Sequence, residues 1–110
     1  MDQKINPIKI VRDYARGLTS QIRVDKVILF GSAVSGRMNY HSDLDVIILS
    51  RDFSRTEFIK RLQQLSRARD GQSRKVPMDI FGYTPREFEK LAEESTVIGE
   101  AKEKGVEIKI

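Results

Sequence analysis

Two aspartates stand at the mouth of a strongly apolar run, where Ser42-Asp43-Leu44-Asp45 leads straight into Val46-Ile47-Ile48-Leu49. Four consecutive apolar residues rich in Val and Ile predict a strand covered on both faces. Side chains alternate along a strand, so Asp43 and Asp45 fall on the same side, one residue apart. Like charges held side by side repel and raise each other's pKa unless a cation is shared between them. The simplest resolution is a hard divalent ion with oxygen ligands, Mg²⁺ or Mn²⁺.

Upstream, a second apolar run, Val27-Ile28-Leu29-Phe30, ends in Gly31-Ser32. It predicts a strand, with a short helix beginning near Ser32. Exposed backbone N–H groups and the helix dipole at such a start attract an anion, most often a phosphate. A phosphate site and a paired-carboxylate metal site on adjacent strands are the parts needed to hold a nucleoside triphosphate with its metal. Arg37, in the ten-residue link between Ser32 and Asp43, is a further candidate for a phosphate oxygen. His41 in the same link is the only histidine of the chain, and a lone loop histidine is more often simply exposed. The spacing Gly31 to Gly36 also mimics a phosphate-binding P-loop. There, however, Arg37 takes the lysine position and Met38 the Ser/Thr position, and a thioether cannot hold Mg²⁺, so that motif is rejected.

Gly31-Ser32, the ten-residue link and Asp43-x-Asp45 before an apolar strand resemble the nucleotidyltransferase superfamily related to polymerase β. The short chain is similar to its minimal nucleotidyltransferase group. The resemblance implies a nucleotidyltransferase fold and a third acidic ligand on a later strand. The predicted strand Val76 to Tyr83 offers one acidic residue, Asp79. Asp43, Asp45 and Asp79 would then be the catalytic metal ligands, with room for two Mg²⁺ ions, and Gly31, Ser32 and Arg37 would hold the triphosphate. The implied reaction is AMP transfer from ATP to a tyrosine hydroxyl of a helical HEPN-type toxin, the chain being the antitoxin of the pair. Many relatives carry an arginine directly after Gly-Ser; here Ala33 follows, and the first arginine is Arg37.

The chain of 110 residues is expected to be one minimal domain, 1–110. It has no cysteine, which excludes disulfides and thiolate metal sites and leaves oxygen ligands. No apolar run reaches the length of a membrane span and no signal-peptide layout opens the chain, so a cytoplasmic location is expected. The net charge of +4 suits nucleic acid, an acidic partner or phosphate-bearing substrates, and does not by itself choose among them. With no aromatic interleaving or nucleic-acid motif, direct nucleic-acid binding is not expected.

Asn6-Pro7 is a helix-start signature, and Ile8, Val11, Tyr14, Ala15 and Leu18 predict an amphipathic helix to about Ile22. A second helix is predicted from Ser54 or Thr56 to about Arg69, its core stripe being Phe58, Ile59, Leu62 and Leu65. The basic link 66–75 reads as a mobile loop with hydrated charges. Thr84-Pro85-Arg86-Glu87 is a capping box that opens a third helix through Phe88, Leu91 and Ala92. A short helix before Gly105 and an alternating strand Val106 to Ile110 complete the chain. The expected class is α/β (α+β), a small mixed sheet of about four strands with helices packed against it. The edge strand could dock another chain, so a homodimer or hetero-oligomer is open. Beside the transferase stands a second class of function, a nucleotide-binding module that neutralises a partner by masking it. An aminoglycoside-modifying enzyme is a weaker third option, since it would normally need an additional domain.

Overall fold

The computed structural model describes residues 6–31 and 43–110. The two apolar runs form the inner strands of a sheet, β1 (Lys26–Phe30) and β2 (Leu44–Leu49), paired antiparallel. β3 (Met78–Tyr83) lies parallel to β2, and the two-residue β4 (Val106–Glu107) lies antiparallel to β1. The order across the sheet is β3-β2-β1-β4. The strand mixture and the helices on both faces are the mixed α/β architecture expected from the sequence.

Alternation along the inner strands divides the core in two. Val27, Leu29, Val46 and Ile48 face α1 (Pro7–Leu18) and α2 (Phe58–Arg67), where Val11, Tyr14, Leu18 and Leu65 meet them. Ile28, Ile47 and Leu49 face the other way, onto Phe88 of α4 (Pro85–Glu94) and Ile98 and Ala101 of α5 (Thr96–Lys104). Val46, Ile47 and Ile48 are fully buried, and each such side chain contributes about 2 kcal/mol. The run is apolar throughout because both of its faces are covered.

Asn6 caps α1, its side chain accepting from the Lys9 N–H, with Pro7 in the first turn. The helix stops at Leu18, short of the predicted Ile22. The Thr19 and Ser20 hydroxyls donate to the Arg16 and Gly17 carbonyls, satisfying groups that another turn would have used. Ile10 takes the buried place predicted for Ile8, which is exposed.

The second predicted helix starts later than Ser54 or Thr56. A 3₁₀ helix, Arg51–Arg55, starts under the Ser50 hydroxyl and buries Phe53, and α2 begins only at Phe58. The α2 stripe is also rotated from the predicted one. Leu65 is buried, but Phe58 and Ile59 are exposed, and Arg61 is buried in their stead. Gly82 of β3 explains part of this: a side chain there would strike Phe53 and Leu65, so the sheet surface is flat enough for the 61/65 face to settle on it.

Link 66–75 is more structured than the mobile loop expected. Gly71–Lys75 forms a short helix, α3, and the Arg69 guanidinium donates to the Ser73 and Val76 carbonyls. α4 starts with the capping box read from the sequence: Glu87 N–H donates to the Thr84 hydroxyl and Thr84 N–H to the Glu87 carboxylate. The last strand is shorter than predicted, although Ile108 still turns inward and its N–H donates to the Val27 carbonyl. Among the described residues no helix is long and apolar enough to cross a membrane.

Candidate active site

Antiparallel pairing brings the end of β1 to the start of β2, with Phe30 opposite Asp45. Parallel pairing places Asp79 opposite Asp45 on the other side. Three strand ends therefore meet around one carboxylate. Asp43, just ahead of β2, is exposed, Asp45 is half-buried, and Asp79, on the edge strand, is exposed. All three carry odd residue numbers, in phase with Ile47, Leu49, Phe81 and Tyr83 on the face that α4 and α5 cover farther along.

The local chemistry of Asp45 follows from its place. Burial raises its pKa first, and the negative charges of Asp79 and Asp43 push it up further. Its carboxylate lies against Gly31, whose φ of +79° favours glycine. Any side chain at position 31 would collide with that carboxylate, closer than atoms can approach. Gly31 is thus favoured by the bend that ends β1, and a side chain there would have to push the Asp45 carboxylate aside.

Among the described residues no three His, Cys, Asp or Glu side chains stand close enough to hold a metal as they are. The Asp45 carboxylate rests toward β1 while Asp79 flanks it from β3. The donor chemistry nonetheless suits a hard divalent cation, because two further carboxylates flank Asp45 and raise its pKa, and a cation would relieve that repulsion. Ser32, Arg37 and His41, singled out in the sequence, and the helix predicted at Ser32 lie outside the described residues.

Next to Asp45 and Gly31 opens a cavity of about 620 Å³. Phe30 lines it from the sheet, and Val97, Glu100, Ala101 and Lys104 line it from α5. The sequence reading found α5 but gave these residues no role. Their spacing, at steps of three and four, was the available signal, and only the fold shows which face of the helix meets the strand ends.

With this geometry in view, comparison with known proteins places the chain. Residues 8–108 match the model of the nucleotidyltransferase domain, and the chain belongs to that family. The protein is accordingly a member of a family of nucleotidyl-transferring domains. Its fold is similar to that of a Sulfolobus solfataricus protein described as a candidate nucleotidyltransferase. The two share 17% identity at a TM-score of 0.61, over 82% of this chain and 85% of the other. No curated protein sequence matches the chain.

Proposed function

We propose that the protein is a metal-dependent nucleotidyltransferase that moves a nucleoside monophosphate, AMP from ATP, onto a hydroxyl of a partner protein. The observation that carries this reading is the register that sets Asp79 beside Asp45, two residues from Asp43, with Gly31 against the Asp45 carboxylate. Asp43, Asp45 and Asp79 would hold Mg²⁺, for which Mn²⁺ could substitute. The bound metal supplies charge neutralisation on the triphosphate and on the pyrophosphate that leaves.

The chain's own residues then have distinct tasks. Gly31 and Ser32 cradle the β- and γ-phosphates, and Arg37 meets a phosphate oxygen. Asp79, open to solvent, accepts the proton of the acceptor hydroxyl. That oxygen attacks the α-phosphorus in line, the bond to the β-phosphate breaks, and pyrophosphate departs with the electron pair. Positioning and electrostatics do most of the work.

The acceptor proposed is a tyrosine of a helical HEPN-type toxin, which makes the chain the antitoxin of a cytoplasmic pair. A second reading is a nucleotide-binding module that silences its partner by masking it. Incubation with α-labelled ATP, Mg²⁺ and the helical partner separates the two. Label on the partner that disappears in Asp43→Asn and Asp45→Asn supports transfer. Tight binding without label, indifferent to both substitutions, supports masking.

A further inference from the structure

The cavity beside Asp45 has one wall made by a single face of α5. Val97, Glu100, Ala101 and Lys104 follow one another at helical steps, and the stripe from Val97 to Lys104 is about 10 Å long. The two ends differ in character. Val97 is 62% exposed although apolar, and lies over the cavity that Phe30 lines from the sheet. Lys104 brings a cation to the same cavity, whereas Lys102, on another side of the helix, is tied to Glu89 of α4.

Resting on the transferase reading above, we infer that this face of α5 is the substrate-binding wall for the nucleoside triphosphate. Val97 and Phe30 form the apolar platform for the base, and Lys104 answers the phosphate charge. Glu100 lies between them and can only accept hydrogen bonds when ionised, which suits a ribose hydroxyl and not a phosphate. The volume lies within the range of small-molecule pockets, roughly 300–1,000 Å³. An acceptor side chain alone would leave most of it unfilled. Continuity with Gly31 and Asp45 brings the ligand's phosphates to the carboxylates that the proposed reaction uses.

Both residues are solvent-exposed, so substitution leaves the core intact. The test is displacement of a fluorescent ATP analogue by ATP and by inorganic tripolyphosphate, with Mg²⁺, in wild type, Lys104→Gln and Val97→Ser. Unchanged thermal unfolding serves as the folding control. Lys104→Gln weakens both ligands about tenfold, as loss of a charge-assisted hydrogen bond does. Val97→Ser weakens ATP about fivefold and leaves tripolyphosphate unchanged. If both variants bind both ligands like wild type, the wall is elsewhere while the transferase reading stands. If Val97→Ser weakens tripolyphosphate as much as ATP, the base platform is refuted. Wild-type protein that binds no nucleotide at all overturns the transferase reading, and the inference falls with it.

Discussion

The parallel pair β2–β3 carries charge at both ends and treats it in opposite ways. Where β3 ends, Arg61 of α2 is 6% exposed, and every side of its guanidinium is matched. It donates to the Phe53, Thr56 and Gly82 carbonyls, pairs with Glu87 at 2.7 Å, and lies over the Phe53 ring at 5.5 Å. Burial tends to raise the Glu87 pKa. The hydrogen bonds from Arg61 and Thr84 outweigh it, and the carboxyl stays below its usual range. Where the strands begin, burial and the like charges of Asp79 and Asp43 push the Asp45 pKa up. A charge that a fold needs for stability is matched by that fold. One left among like charges, half-buried, costs stability and is the place to look for chemistry.

The sharpest way to test this contrast is to remove one charge from each end. Asp45→Asn is expected to cut label transfer at least about a thousandfold, as loss of a key electrostatic group does, while the protein stays folded. Arg61→Ala should do the reverse. It removes the guanidinium from Glu87 and from three carbonyls and costs about 3 kcal/mol in urea unfolding, with the site itself untouched. Gly31→Ala affects both quantities. Its positive φ and the collision with the Asp45 carboxylate cost about 2 kcal/mol, and transfer falls because the carboxylate is displaced.

The smallest effect is a difference of sign with pH. Glu87 has a depressed folded pKa, so its contribution is present above its unfolded pKa and is lost as acid carries the protein through the folded value. Asp45 has a raised one, so the protein is favoured below the unfolded pKa and that advantage disappears as pH rises through the folded value. Thermal unfolding without divalent metal, from pH 3 to neutrality, should therefore show Asp45→Asn gaining on wild type as pH rises. Glu87→Gln should fall behind over the same interval. Parallel curves for the two variants would erase the distinction between the ends.

Much of the local structure was legible because its causes are local. Asn6-Pro7 and the Thr84–Glu87 box start helices where the chain says they should, since a cap and its partner are only three residues apart. The inner strands were legible for a similar reason, as an unbroken Val/Ile run has few other places to go. Ends and faces were less so. At the end of α1 the Thr19 and Ser20 hydroxyls take up carbonyls that another turn would have used. The α2 stripe was misread because apolar residues were taken to face inward, whereas the helix buries Arg61 and leaves Phe58 stacked on Tyr83 near the rim, ring centroids 5.8 Å apart. Nothing in the helix itself announces that three carbonyls and a carboxylate wait for a guanidinium beneath it.

By itself the sequence determined the inner strands, the capped helix starts and the presence of an aspartate pair beside a glycine, because capping, strand alternation and glycine's freedom act over a few residues. Only the tertiary structure decided that Asp79 lies across from Asp45, that the Asp45 carboxylate leans on Gly31, and that one face of α5 walls the cavity next to them. Those are matters of strand register and helix docking, set by how side chains distant in the chain fill one core.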